Sequence, residues 1–417
     1  MQVFKFGGAS VKDAPSVKNL AAILNRYNDR NLVVVISAMG KTTNALENLV
    51  QAYFEGDEGM YAVLDEVLDY HYTIAEVLET GEKGKAAIDS LKEEMLTKLK
   101  KPVSLNFNFE YDQVVSFGEL LSTTIISLYL NQQGIANKWI DIRNYLKTDN
   151  TYREANVDWK LSEGLIRKTF TFDGSQRLYI TQGFIGSTIN NLTTTLGREG
   201  SDFSAAILAY YLWANSVTVW KDVPGVLNAD PKFFKETIKL DKISYRDAIE
   251  LAYYGTSVIH PRTVQPLQNR QIPLYVKSFL NPQEEGTQIL NEKIVQNVPC
   301  YIFKKDQVLV QISARDFSFI AEEHLQDIFP AFAETGLKIN LMQNSAVSFN
   351  VCVNNDPTRL SRTIQKLEKI FNVNLRHGLE IITVRYYDDE TIASVVDKRS
   401  LILTQKTQTT VQMVVSK

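Results

Sequence analysis

Short apolar runs alternate with amphipathic stretches through the first two-thirds of the chain. Strands are predicted at Val3–Phe6, Leu32–Ser37, Lys138–Asp141, Leu178–Thr181, Ser216–Lys221 and Leu274–Lys277. Helical spacing separates several of them. It runs from Asp13 to about Asn28, with Val17, Leu20, Ala21 and Leu24 on one face, then over Gly118–Gln132, Ser201–Trp213 and Tyr245–Tyr253. Strands alternating with helices imply an α/β fold, a mainly parallel sheet covered by helices on both faces. Such sheets bind ligands at the carboxyl ends of their strands. Residues Tyr53 to Pro102 break the pattern: they are charged, helical and free of strand signals. They read as a helical insertion over about 53–102, a lid or a dimer contact.

Beyond about Val298, after the polar and turn-rich stretch Leu280–Gly286, the pattern changes. Strands are predicted at Gln307–Ser313, Lys338–Met342, Ala346–Val353 and Val373–Arg376, with helices at Glu322–Thr335 and Thr358–Phe371. That βαββαβ order predicts a ferredoxin-like α+β sandwich over 299–377. Residues 378–417 add strands at Leu379–Tyr386, Ser400–Thr404 and Thr410–Val415 and one short helix. They form a reduced second copy that needs partners for its edges. The expected division is therefore 1–290, 299–377 and 378–417.

A chain of 417 residues is long enough for two or three domains with their own cores. Its 45 Lys+Arg stand against 48 Asp+Glu, a net charge of −3, so no broad basic face for nucleic acid is expected. Cys300 and Cys352 lie far apart and form no CxxC pair, which argues against a disulfide frame or a zinc site and fits a reducing compartment. The N-terminus has no signal-peptide pattern, and the longest apolar run, Leu32–Met39, is too short to span a bilayer. A cytoplasmic protein with no membrane partner is expected.

Candidate chemistry starts at Lys5-Phe6-Gly7-Gly8-Ala9-Ser10, where the first strand ends. Glycines let backbone N–H groups approach an anion, lysine adds a point charge, and the following helix aims its N-terminus at the turn. The same residues also suit a plain strand-to-helix turn. Gly40-Lys41-Thr42 imitates a Walker loop, but position 35 is Val35 inside a strand, so the match fails. Thr193-Thr194-Thr195-Leu196-Gly197-Arg198-Glu199-Gly200-Ser201-Asp202 places an arginine between glycines at a helix start, suited to bidentate capture of a carboxylate. Ser201 and Asp202 are equally ordinary N-cap residues. Glu119 opens an apolar helix after Phe117-Gly118, either as dipole compensation or as a buried carboxylate for an ammonium group. Gln182-Gly183-Phe184-Ile185-Gly186 and Val219-Trp220-Lys221-Asp222-Val223-Pro224-Gly225 complete the set of glycine turns at strand ends.

These segments occur together with Val35–Met39, Asp230-Pro231 and Val258-Ile259-His260-Pro261, in one order. In that combination the chain to about residue 290 resembles the aspartate kinases of the amino-acid kinase family. The remainder resembles their paired ACT regulatory domains. The resemblance implies ATP-dependent phosphorylation of the L-aspartate side-chain carboxylate to 4-phospho-L-aspartate, the first step toward lysine, threonine and methionine. It assigns Lys5 and Asp202 to catalysis, with Lys5 stabilising the transferring phosphoryl group. Gly7, Gly8 and Ser10 would supply the phosphate turn, and Lys221, Asp222, Asp230 and Lys232 would line the nucleotide site. Arg198 would bind a substrate carboxylate, with Thr43, Glu119 and Ser201 completing the pocket and Glu119 facing the α-ammonium. Mg²⁺ would enter through ATP and water, with no protein metal site. A carboxylate acceptor is already ionised near neutrality, so no general base is required.

The sequence departs from that pattern at Ala9, where threonine is usual, at Glu199, where glycine is common, and at Ser257, where a phosphate-binding lysine often stands. Glu199 is expected to point away from the substrate. In the ACT-like region Asp316, Asn344 and Ser345 are candidate ligands for a feedback amino acid, L-lysine or L-threonine, although such residues also serve ordinary turns. A homodimer or dimer of dimers is expected. Two rival readings stand beside this one: a related kinase with another acceptor, and an inactive kinase-like amino-acid sensor.

Overall fold

The computed structural model describes residues 1–416 apart from 175, 256–258, 293, 295–297, 317, 397 and 398. Ser257 therefore lies outside the described residues. The chain forms two compact units. The first comprises Met1–Val226, Lys239–Ile249 and Ser257–Ile294, and the second Leu227–Ile238, Glu250–Thr256 and Val295–Lys417.

The first unit is built on an eight-stranded sheet in the order β3-β4-β2-β1-β7-β9-β10-β8. Its strands are β1 (Gln2–Phe6), β2 (Leu32–Ile36), β3 (Lys138–Ile140), β4 (Leu178–Gln182), β7 (Val217–Lys221), β8 (Lys242–Ser244), β9 (Leu274–Ser278) and β10 (Thr287–Leu290). All pair in parallel except β9 with β10. The Val-rich run of β2 is buried at every position, as a strand covered on both faces requires. A small hairpin, β5 (Ile185–Ser187) with β6 (Thr193–Thr195), stands apart from this sheet. Strands β5, β6, β8 and β10 are absent from the sequence reading because three or four residues carry too little periodicity.

The helices of this unit are α1 (Ala14–Asn25), α2 (Thr42–Glu55), α3 (Met60–Val77), α4 (Gly81–Leu99), α5 (Phe107–Val115), α6 (Phe117–Gln132), α7 (Trp159–Thr169), α8 (Gly200–Leu212) and α10 (Pro261–Asn269); α9 (Tyr245–Tyr254) begins here. Helix α1 starts where the Asp13 carboxylate accepts the Ser16 N–H at 2.8 Å, with Pro15 inside its first turn. Residues 53–102 hold α3, α4 and the end of α2, with no strand among them. Phe107–Gln132 is longer than Leu32–Met39 and, with a mean hydropathy of 1.3, long and apolar enough to cross a membrane. However, 83% of its most apolar window is buried inside the protein, and Glu110, Asp112 and Glu119 are buried along it. This is the pattern of a core helix pair.

The second unit carries a six-stranded sheet in the order β12-β13-β11-β14-β16-β15. Its elements are β11 (Cys300–Ala314), α11 (Glu322–Thr335), β12 (Ile339–Asn344), β13 (Phe349–Asn354), α12 (Pro357–Leu367), β14 (Phe371–Arg385), α13 (Asp389–Val396), β15 (Ser400–Lys406) and β16 (Thr410–Ser416). Residues 371–385 form one strand instead of the two predicted at Val373–Arg376 and Leu379–Tyr386. The register against β11 shifts around Gln307, where Asp306 and Gly378 take φ of 53° and 72°. The glycine thus marks a bulge that kinks the ladder without ending it. In consequence Cys300–Lys304 pairs with Ile381–Arg385, so the last part of the chain shares a sheet with residues that precede the ferredoxin-like order. Its apolar face (Ile382, Val384, Val411, Met413, Val415) is covered by Val395 of α13 and by Phe234 of the Leu227–Ile238 segment.

Candidate functional site

The carboxyl ends of β1 and β7 bring two lysines to one carboxylate. Lys5 Nζ lies 2.6 Å from Asp202 Oδ1, and Lys221 Nζ lies 3.6 Å from Asp202 Oδ2. Asp202 occupies the first turn of α8, so the helix dipole adds to the field that favours its charge. Burial opposes ionisation of Asp202, but the Lys5 and Lys221 ammonium groups outweigh it and hold the carboxyl below the usual carboxylate range. Removing one partner from such a buried pair typically costs about 3–5 kcal/mol, because the other charge is left uncompensated.

The glycine turn sits directly against this cluster. A side chain at Gly8 would meet the carbonyl oxygens of Ala38 and Gly40 at 2.8 and 2.9 Å, and one at Gly7 would come within 3.4 Å of Lys5 Nζ. The Gly40 N–H donates to the Gly8 carbonyl at 3.1 Å, tying the turn to the loop after β2. Ser10 spends its polar groups locally: its N–H donates to the Gly7 carbonyl and its hydroxyl to the Trp220 carbonyl. Tyr70 of α3 donates to the Lys12 carbonyl beside Gly40, so the helical insertion braces the turn.

Glu119, in the first turn of α6, is buried with one oxygen accepting the Ala38 N–H at 3.2 Å and the other without a hydrogen-bond partner. Burial pushes its carboxyl up to about 8, against the pull of the Ala38 N–H and the Lys5 ammonium. An unsatisfied buried carboxylate beside a lysine is costly in isolation and suits a cationic ligand group. Thr43 lies partly exposed in the first turn of α2. Ser201 is buried, and a side chain at Gly183 would collide with it at 2.5 Å, which accounts for that glycine. Arg198 is exposed on the turn between β6 and α8, where Gly197 and Glu199 take φ of 77° and 55°. Glu199 is half-buried at the N-cap position of α8.

Not every predicted residue gathers here. Asp222 is exposed just past β7. Asp230 and Lys232 belong to the second unit, where both are exposed and the Asp230 carboxylate accepts the Lys232 N–H at 2.8 Å. Asp316 and Ser345 are likewise exposed and engaged in their own turns, with Ser318 and Ser348 respectively, and Asn344 ends β12. Residues the sequence reading passed over include Tyr70, Asp112 and Arg262. Each makes its contact more than 40 residues away, which no local motif signals.

The chain matches the amino acid kinase family over residues 1–278. It is 32% identical to the bifunctional aspartokinase/homoserine dehydrogenase 1 of Zea mays over 364 residues, covering 84% of this chain and 39% of that one. The chain thus spans about two-fifths of the length of the bifunctional plant relatives it matches. It is 29% identical to lysine-sensitive aspartokinase 3 of Escherichia coli over 395 residues, covering 92% and 86% of the two chains. The crystal structure of E. coli aspartokinase III in complex with aspartate and ADP superposes with a TM-score of 0.85 at 26% identity, over 100% of this chain and 96% of that one. By its parallel sheet, its buried lysine–aspartate cluster and this match, the chain belongs to the amino acid kinase family.

Proposed function

We propose that the chain transfers the terminal phosphoryl group of ATP to the side-chain carboxylate of L-aspartate, giving 4-phospho-L-aspartate, the entry to lysine, threonine and methionine synthesis. The observation that carries this reading is the buried Lys5–Asp202 pair, with half-buried Lys221 at its edge and Glu119 beside Lys5. Phosphoryl transfer asks the protein for alignment and for cations where charge spreads over the phosphoryl oxygens. Lys5 and Lys221 supply that charge, and Asp202 holds both ammonium groups in place. The Gly7–Gly8 turn, which tolerates no side chain at Gly8, would bring its backbone close to a phosphate. Glu119 receives the α-ammonium, Arg198 a carboxylate, and Thr43 and Ser201 complete the pocket. The nucleophile arrives ionised, so none of the four histidines is needed as a base. Among the described residues no group of three or more His, Cys, Asp or Glu could hold a metal ion. Mg²⁺ would be held by ATP and water, supplying charge neutralisation.

The exposed Asp316, Asn344 and Ser345 support a feedback site for L-lysine or L-threonine in the second unit, and the edge strands β12 and β15 support pairing with a second copy. Both cysteines are buried and unbridged, and burial pushes the Cys352 thiol up to about 12, which suits a reducing compartment such as the cytoplasm. A coupled assay of ADP release with ATP, Mg²⁺ and L-aspartate tests the reaction. Turnover dependent on aspartate is expected. Phosphorylation of another acceptor with aspartate inert, or effector binding with no turnover, overturns it.

A further inference from the structure

Asp112 of α5 is fully buried and lies outside the machinery described above. Its carboxylate accepts the Thr195 N–H at 2.8 Å, the Thr195 hydroxyl at 2.7 Å and the Arg153 N–H at 3.1 Å. The next residue, Gln113, clasps Thr193 from the same helix, donating to its carbonyl at 2.7 Å and accepting its N–H at 3.3 Å. The threonine run before Arg198 is thus a strand stapled to α5. The stapled segments lead straight into the arginine turn. Ala155 N–H donates to the Thr195 carbonyl at 3.0 Å, and a side chain at Gly197 would meet the Arg153 carbonyl at 3.0 Å. Arg153 and Glu199, non-glycine residues with φ of 70° and 55°, flank this contact. Such conformations persist only where their surroundings over-determine them. On the far side Arg262 of α10 donates to the Leu196 carbonyl at 2.8 Å.

We propose that Asp112 is a positioning residue of the amino-acid pocket: by fastening Thr195 to Arg153 it fixes the turn from which Arg198 reaches the acceptor's carboxylate. This rests on the proposed acceptor being an amino acid. Three donors converge on the carboxylate, which as an acceptor-only group meets them all, whereas protonation sets a competing O–H among them. Burial pushes the Asp112 carboxyl up to about 6, opposed by the bonds from Thr195 and Arg153 and by the Arg153 charge. The other groups facing it are Tyr152 and Tyr111. Tyr111 lies under the Arg153 guanidinium and donates to Glu47 of α2.

Steady-state kinetics of the full chain test this. For Asp112→Asn, KM for L-aspartate should rise by roughly tenfold while kcat and KM for ATP stay within about twofold, a misplacement of the pocket only. In the wild type, KM for aspartate should climb as pH falls through about 6, and the variant should lose that inflection. The unfolding contribution of Asp112 has the opposite sign. A raised carboxyl pKa makes the folded state bind protons first, so acidification through that window adds stability while it weakens substrate binding. A merely structural role would not produce that split. Should Asp112→Asn fail to fold, Thr195→Val removes one of the three bonds and should raise KM for aspartate by about threefold. An unchanged KM, equal losses for both substrates, or an inflection that survives in the variant overturns the inference. Calorimetry with L-aspartate separates this from the reaction itself. Binding without turnover refutes the reaction and leaves the variant's affinity as the measure, whereas no binding refutes both.

Discussion

The two units handle their candidate functional residues in opposite ways. In the first, Lys5, Asp202 and Glu119 are buried, and their charges are balanced against one another or left short of a partner. In the second, Asp316 and Ser345 are exposed and closed onto neighbours two or three residues away. Burying an ionisable group costs free energy that a fold does not sustain without a partner, so the first pattern carries information about chemistry. Exposed turn residues are satisfied by their turn alone, so the second pattern is compatible with a ligand without demanding one.

The contrast can be broken most sharply at Lys5. Lys5→Ala should lower kcat by about a thousandfold or more while the protein stays folded, since it removes charge stabilisation made in the transition state. Steady-state turnover with a thermal melt checks this, and retained activity would return the cluster to a structural role. Glu119→Gln should raise KM for L-aspartate by roughly 10–100-fold, the range expected on losing a buried charge-assisted bond. Because burial pushes Glu119 up to about 8, its free carboxyl is protonated at neutrality. Binding an ammonium group stabilises the ionised form, so substrate binding should release a proton and tighten as pH rises through 7 to 8. Calorimetry in buffers of different ionisation enthalpy reads that proton directly. Uptake instead of release would place the ammonium elsewhere.

A smaller effect comes from a buried titratable group with no part in the site. His71 of α3 shares a hydrogen bond with the Val67 carbonyl through Nδ1, and burial pushes its pKa down to about 4. The unfolded chain therefore binds a proton first as pH falls below about 6.5, and stability is lost between there and pH 4. His71→Phe should flatten that loss by about 2–3 kcal/mol in urea unfolding at pH 7 and pH 4.5. The smallest effect is expected in the second unit. Ser345→Ala removes hairpin bonds and should shift half-inhibition by L-lysine or L-threonine less than about tenfold. A loss of inhibition much larger than that would show a built site behind the turn and erase the contrast.

Much of this was legible in the sequence, for reasons that differ by element. Strands such as Leu32–Ile36 announce themselves because burial on both faces demands an unbroken apolar run. Lys5, Gly7 and Gly8 stand out because a glycine turn at a strand end is a local pattern, and Asp202 because it opens a helix. Asp112 is not legible. An acidic residue on a mostly apolar helix has no local sign of its partners, which lie 41 and 83 residues away. The single strand Phe371–Arg385 is not legible either, because a bulge interrupts the alternation that would mark it as continuous.

That unbroken strand has a bearing on how the chain can be divided. Because β14 carries hydrogen bonds to β11 along both its halves, a cut near Gly378 would sever a strand in mid-course and strip Cys300–Lys304 of its neighbour. The stub left behind would present a fresh row of unpaired amides, ready to recruit other chains. A separation that respects the ladder falls ahead of Cys300 and keeps both ends of the sheet together. The last forty or so residues are in this sense a bracket closed around the ferredoxin-like sandwich, and shuffling or deletion acts on the whole bracket at once.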